Sequence, residues 1–310
     1  MAGLWESNTS VNNKRFSKTL ISIAFIINPI SGGRNKRRVE KFIDRFFNKD
    51  EYFYKKLFST FPSHAFELAR NEIKQGTDII VAVGGDGTIN EIARALMFSE
   101  TRLGIIPVGS GNGFARHFGI PLSIRGAVKR IMDGEDIKID AGFVNGKAFF
   151  CTSGIGFDAE TGMIYSQFDT RGFLSYAFSF IRVFHKYHAK KYEIYADNEK
   201  IVAEAFFINI ANISQFGYHF YIAPGASASD GSLDLVIIRK FPKWKGIFLA
   251  IYSFFAKIDK SNYVIRRKVK NVIIKTGHFK TIIHIDGEPE PVSENELVYS
   301  VKHEGLRVII

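Results

Sequence analysis

Cysteine is nearly missing from this chain: Cys151 is the single one in 310 residues. That excludes an intramolecular disulfide framework and a CxxC zinc ribbon, and it fits a reducing compartment. Long hydrophobic runs are missing as well. The longest, residues 20–27 and 246–256, stop well short of the roughly 20 residues a membrane-crossing helix needs. Residues 1–19 are polar and lack the apolar stretch of a secretory leader, so a solvated tail on a cytoplasmic protein is expected. Proline is scarce (8 residues) and 46% of the chain is apolar, which excludes global disorder and collagen-like repeats. No HExxH occurs among the eight histidines; His185 and His188 lie three apart with no carboxylate at ligand spacing, so a zinc site is not expected. Acidic residues are in deficit, 31 against 42 basic ones, for a net charge of +11. Such a balance implies an anionic partner: nucleic acid, an anionic membrane surface or a polyphosphate substrate.

What is present is a succession of strand, glycine-rich loop and helix. Residues 20–27 form a β-branched apolar run, as in a strand buried on both faces of a parallel sheet, and run into Asn28-Pro29-Ile30-Ser31-Gly32-Gly33. A basic amphipathic helix follows, then a strand over 54–59 and a helix over 63–75. Strand 79–83 leads straight into Gly84-Gly85-Asp86-Gly87-Thr88-Ile89-Asn90-Glu91, and strand 103–108 into Gly109-Ser110-Gly111-Asn112-Gly113. Three such units predict a doubly wound α/β domain. After Asp140 helical patterns thin out to 173–188 and 243–256. Strand-like runs take over, among them 148–152, 192–196, 205–210, 233–238, 271–275 and 281–285. These predict a second, β-rich domain with antiparallel sheets.

The loop at Gly84 carries the clearest chemistry. Glycines at the carboxyl end of a buried strand let backbone N–H groups approach an anion, and the helix that follows adds its positive end. Thr88 and Glu91 have capping-box spacing. An aspartate inside a phosphate loop makes electrostatic sense when a cation intervenes, so Asp86 is a candidate for holding Mg²⁺ directly or through water. The spacing matches neither a Walker A loop nor a dinucleotide fingerprint, which removes the usual support for a redox function.

Four blocks in order resemble the diacylglycerol-kinase catalytic family, which includes bacterial soluble lipid kinases, sphingosine kinases and ceramide kinases. They are Ile27-Asn28-Pro29 with Ser31-Gly32-Gly33; the Gly84 loop; Gly104-Ile105-Ile106-Pro107-Val108-Gly109-Ser110-Gly111-Asn112; and Ile285-Asp286-Gly287-Glu288-Pro289. The resemblance implies an N-terminal α/β nucleotide-binding domain (20–139, completed by 293–310) and a C-terminal β-sandwich-like lipid-substrate domain (140–292), with a cleft between them. It implies ATP along Gly84, Gly85, Asp86, Gly87, Thr88, Ile89 and Asn90. Asn28, Thr60, Ser110 and Asn112 would line the same cleft. Asp286 is implied as general base, with Glu288 as a supporting carboxylate. Asp-Gly is equally a strong hairpin signal, so a tight turn is the competing reading of Asp286-Gly287. The segment from Pro224 to Asp234 resembles a structural Mg²⁺ site, its ligands being the Asp230 carboxylate and the carbonyls of Ser227 and Ser232. One departure stands out: bacterial members carry an aspartate where this chain has Gly113, and Gly-Ser-Gly-Asn is more similar to the sphingosine and ceramide kinase version.

The expected function is an ATP- and Mg²⁺-dependent lipid kinase acting on a diacylglycerol-like or sphingoid hydroxyl at an anionic membrane surface. A kinase of a soluble substrate, like the NAD kinases, and a catalytically silent lipid-binding protein are the alternatives. Nucleic acid is not expected as a partner, because no module with interleaved aromatics appears. A second copy of the chain stays open as a partner. The segment from Arg239 to Lys270 holds ten basic residues and Asp259 alone on the acidic side, around an aromatic helix with Trp244, Phe248 and Phe255. It reads either as a membrane-facing element or as a stripe packed on the sheet under a solvated charged face. For 173–188, core packing is the expectation.

Overall fold

The computed structural model describes residues 20–31, 36–47, 51–168, 173–217, 219–277 and 281–310. The expected tail at 1–19, and Gly32 and Gly33 of the first loop, lie outside the described residues.

The first half alternates β1 (Ile21–Ile27), α1 (Lys36–Phe46), β2 (Tyr52–Phe58), α2 (His64–Lys74), β3 (Ile79–Gly84), α3 (Asp86–Leu96), β4 (Arg102–Pro107), α4 (Gly113–His117) and α5 (Ile124–Asp133). The strands are parallel in the order β4-β3-β1-β2. Side-chain alternation sends Phe25, Val81 and Val83 to one face, under Val39 and Ile43 of α1 and Val128 of α5. Ala24, Ile80 and Ala82 face the other way, under Ala65 and Ala69 of α2 and Ile89 and Ile92 of α3. Helices therefore cover both faces, as the buried strand runs predicted. The strand order reverses between β1 and β3, and ligands of open α/β sheets bind at the carboxyl ends beside such a reversal.

The second half comprises β5 (Asp136–Val144), β6 (Lys147–Phe149), β7 (Thr152–Gly156), α6 (Phe157–Ser166), α7 (Phe173–Lys186), β8 (Lys190–Ala196), β9 (Glu199–Ala211), β10 (Leu233–Arg239), α8 (Gly246–Phe254), β11 (Val264–Val269), β12 (Asn271–Lys275), β13 (Thr281–Ile285), β14 (Glu288–Val292) and β15 (Glu296–Ile309). Its internal pairings are antiparallel. Leu235 and Ile237 of β10 point into the sandwich core with Ile208 and Ile210. Val236 and Ile238 point outwards, beneath Val183 of α7 and Leu249 of α8. β15 joins the halves: its first residues pair with β12, and Val308 lies parallel to Leu103 of β4.

Several expectations need correcting. The run 148–152 is not one strand. It breaks at Phe150 and Cys151, whose N–H groups donate to the Asp286 carboxylate instead of to a ladder. The capping box does not form. Helix α3 starts at Asp86 with Gly85 as its N-cap, so Thr88 is already inside it. Glu91 instead accepts the N–H groups of Ser63 and Ala65, at 3.1 Å each, and caps α2. The stripe on α8 does not pack on the sheet as a whole: Leu249 and Ser253 are its buried residues, and most of its aromatics are exposed. Helix α7 is divided. Ser179 and Val183 are buried, whereas Leu174, Phe178 and Ile181 face outwards.

Candidate active site

The four parallel strands end level with one another. Ile27 lies beside Phe58 on one side and Val83 on the other, and Gly84 beside Pro107. Their loops therefore gather at one edge. Asn28 ties two of them: its side-chain amide donates to Thr88 Oγ1 at 3.0 Å, and its Oδ1 accepts from Ile30 N–H at 3.1 Å. Thr60, after β2, is held by His64 Nδ1 and is exposed. Glycine at 109 is a steric requirement. A Cβ on Gly109 would lie 2.5 Å from Gly85 Cα and 2.8 Å from Asn112 Oδ1. The second and third loops thus touch backbone to backbone.

Asp86 closes this contact. Its two carboxylate oxygens accept the N–H groups of Gly113 and Phe114, 3.1 Å each, at the start of α4. Burial pushes its pKa up, against the pull of those N–H groups. Each oxygen thereby takes one N–H of the third loop, and Asp86 fixes loop geometry. Asn112 adopts a left-handed φ of 51° and donates to Gly109 O at 2.9 Å. Its buried Oδ1 has no hydrogen-bond partner among the described residues, which leaves an acceptor for a ligand. Ser110 is exposed at the mouth.

Asp286 arrives from the other half. With Gly287 it makes the β13–β14 turn, φ 49° and 86°, so the hairpin reading holds and the same turn carries the carboxylate. Asp286 Oδ1 accepts from Cys151 N–H (2.7 Å) and Thr152 N–H (3.0 Å). Oδ2 accepts from Phe150 N–H (2.9 Å) and from the Asn90 side-chain amide (2.6 Å). Burial raises its pKa above the ordinary carboxylate value, and the four donors oppose that rise. Asn90, expected along a phosphate chain, is turned instead onto this carboxylate, linking the halves. Exposed Glu288 reaches over the start of α3, its Oε1 3.8 Å from where a Cβ on Gly87 would lie.

The segment from Ser227 to Ser232 is elsewhere, and its geometry does not fit a cation. Asp230 Oδ2 is paired with Lys268 Nζ, while Oδ1 accepts from Ser232 N–H (3.1 Å) and Oγ (2.7 Å). Burial would raise the Asp230 pKa, yet Lys268 and Ser232 hold it below the ordinary value. The ammonium, also 3.8 Å from Asp234, supplies the charge a metal would bring. Ser227 Oγ lies 3.4 Å from Ser229 Oγ.

Three contributions were not legible in sequence. The nest of N–H groups at Phe150, Cys151 and Thr152 is backbone and has no side-chain signature. Arg116, which donates to Gly111 O at 3.1 Å, brings a guanidinium to the third loop. Gly113 is shut in from the second half: a Cβ there would lie 2.8 Å from Phe216 O. The aspartate of the bacterial pattern has no room at this position.

The diacylglycerol kinase catalytic domain model matches residues 22–144, and the YegS C-terminal NAD kinase beta sandwich-like domain model matches 152–310. A diacylglycerol kinase of Bacillus subtilis (strain 168) is 30% identical over 250 residues, covering 79% of this chain and 82% of that protein. A probable lipid kinase YegS-like of Pseudomonas savastanoi pv. phaseolicola is 31% identical over 248 residues, 79% of each. The fold is also that of a putative diacylglycerol kinase from Bacillus anthracis str. Sterne, with a TM-score of 0.75, 20% identity and coverage of 94% of this chain and 97% of that one. The chain belongs to the diacylglycerol kinase catalytic family.

Proposed function

We propose that the protein is an ATP-dependent lipid kinase working at a membrane surface, with Asp286 as its general base. The supporting observation is the placement of Asp286. A carboxylate of one half is bonded by Asn90 of the other, at the N-terminal end of α3 and beside the glycine loop that begins at Gly84. In this reading ATP enters as its magnesium complex, with its phosphates along Gly84, Gly85, Gly87, Thr88 and Ile89. Asn28, Thr60, Ser110 and the free acceptor on Asn112 border them. A lipid hydroxyl attacks the γ-phosphorus, the bond to the β-phosphate oxygen breaks, ADP leaves, and the hydroxyl proton passes to Asp286. Glu288 sits near enough to orient the acceptor. Such transfer depends on alignment and charge neutralisation more than on covalent chemistry. The four N–H donors aim the carboxylate, and its burial raises its affinity for a proton.

The test is transfer of labelled γ-phosphate to diacylglycerol, phosphatidylglycerol, sphingosine, dihydrosphingosine and ceramide in mixed micelles, with NAD as soluble control. Label in a lipid, abolished by Asp286→Asn, is the expected result. Label in NAD alone would replace the lipid acceptor with a soluble one. Transfer undiminished by Asp286→Asn would remove the base.

A further inference from the structure

Large apolar side chains exposed to solvent are not spread over the molecule. Of the twenty among the described residues, ten lie on two short stretches: Leu174, Phe178 and Ile181 of α7, and seven between Trp244 and Phe255 on and beside α8. Leu174 is 82% exposed, Phe255 69% and Trp244 67%. The two helices share a footing. Val183 and Tyr187 of α7's stretch and Leu249 of α8 enter one core cluster, and Phe184 meets Phe241 ring to ring at 6.4 Å. Their outer sides therefore form a common face. Single exposed apolar residues need no explanation, but a concentration of this size marks an interaction site.

The charge beside this face points to its occupant. Neither α7 nor α8 contains an acidic residue. Arg182, Lys186, Lys243, Lys257 and Lys260 are exposed around them, Lys240 is paired with Glu204 at 2.8 Å, and Asp259 is engaged by Arg266 at 2.9 Å. Aromatic side chains ringed by lysine and arginine match the interface of an anionic bilayer, where rings enter the headgroup layer and cations meet lipid phosphates. Helix α8 has 9 residues, and no described helix is long and apolar enough to cross a membrane, so the face lies on the surface.

The face is also connected to the site by packing. Phe254 packs on Phe220 at 5.4 Å, Phe220 on Phe216 at 6.3 Å, and Phe216 on His284 at 5.9 Å, two residues before Asp286. The backbone at Phe216 is what closes on Gly113 of the third loop. A chain of packed rings thus links the exposed face to the wall of the cleft. We propose that the joint α7/α8 face seats the protein on an anionic bilayer, which brings the cleft that carries Asp286 against the lipid surface. This rests on the lipid-kinase proposal for its purpose, but its test reads binding and not phosphoryl transfer.

The experiment uses the full chain carrying Trp5→Phe, which leaves Trp244 as the single tryptophan. Vesicles of phosphatidylcholine with and without phosphatidylglycerol are added while emission and co-sedimentation are followed. The expected result is a blue shift of Trp244 and binding at least ~10-fold tighter to the anionic vesicles, weakened by salt. Phe248→Ser with Phe255→Ser, and separately Lys257→Glu with Lys260→Glu, should each weaken binding by ~10-fold without lowering the thermal midpoint. Unshifted emission with no sedimentation, or binding untouched by both pairs, overturns the proposal. So does a Trp244 shift that follows protein concentration without lipid, since a second copy would then cover the face. A protein that binds vesicles as expected but labels no lipid keeps the docking face and loses the kinase reading.

Discussion

Replacing Asn90 with alanine removes the side-chain bond that ties Asp286 to the opposite half. The Asn90 amide makes the shortest of the four hydrogen bonds to that carboxylate, 2.6 Å against 2.7, 2.9 and 3.0 Å. A hydrogen bond to a charged group contributes about 1.5–3 kcal/mol. Its loss takes a donor from the charged form and so raises the Asp286 pKa further. The sign follows from the direction already present. Asp286 is pushed above its ordinary value by burial, so the folded state keeps its proton to a higher pH than the unfolded chain does. Its contribution to stability is complete in acid and is lost as the pH rises through the folded pKa. Raising that pKa further makes the loss larger. Urea unfolding of Asn90→Ala should therefore show a deficit of about 1.5–3 kcal/mol near neutral pH that shrinks to roughly 1 kcal/mol below the ordinary carboxylate range. In a chain of this length that deficit lowers the thermal midpoint by about 2–5 °C. The acid limb of kcat/KM, in whichever substrate is labelled, should move to higher pH. An acid limb that stays in place, together with a stability deficit equal at both pH values, would refute the view that Asn90 holds the charged form.

Three further outcomes follow from other sites. Gly113→Asp, which restores the residue of the bacterial pattern, should cost about 1–3 kcal/mol and disturb the Phe216 segment, because the clash is with backbone and no rotamer relieves it; limited proteolysis and a thermal melt check it, and an unchanged midpoint counts against the contact. His117 is held at a pKa of about 4 by burial, below its ordinary value. Its folded state resists the proton that the unfolded chain accepts, so stability should fall by roughly 2–3 kcal/mol as pH drops from about 6.5 to about 4, and His117→Gln should flatten that part of the profile. Because Lys268 already neutralises Asp230, wild-type protein should melt at the same temperature in excess magnesium as in chelator. Lys268→Ala should cost no more than about 1 kcal/mol, as expected of a partly exposed pair; a magnesium-dependent wild-type midpoint would restore the metal assignment.

The sequence made the parallel half legible because its strands are buried on both faces and their apolar runs end in glycine loops. It located the Asp286 turn, because Asp-Gly after a β-branched run has one economical conformation. It could not place the partners of that turn. Three of the four donors are backbone N–H groups at a break in what looks like a continuous strand over 148–152. The fourth, Asn90, is 196 residues away in the chain. Glu91 misled for a similar reason: three residues after a threonine it has cap spacing, yet the start of α3 is set by Gly85, and the glutamate turns to a neighbouring helix. The exposed helices were ambiguous because the apolar composition of α8 is the same whether it packs or protrudes, and only the residues beneath it decide.

β15 has a consequence for how the chain acquires its shape during synthesis. The edge of β4 is covered by Val308 facing Leu103, a partner some two hundred residues later in the chain. At about 5–20 residues per second, the ribosome leaves that edge open for roughly 10–40 s after β4 itself has emerged. An unpaired strand of this kind, Arg102–Pro107 with five buried positions in six, is a template for wrong partners. Slow folding is expected from so distant a pairing, and the nascent parallel half should lean on chaperones until β15 is delivered.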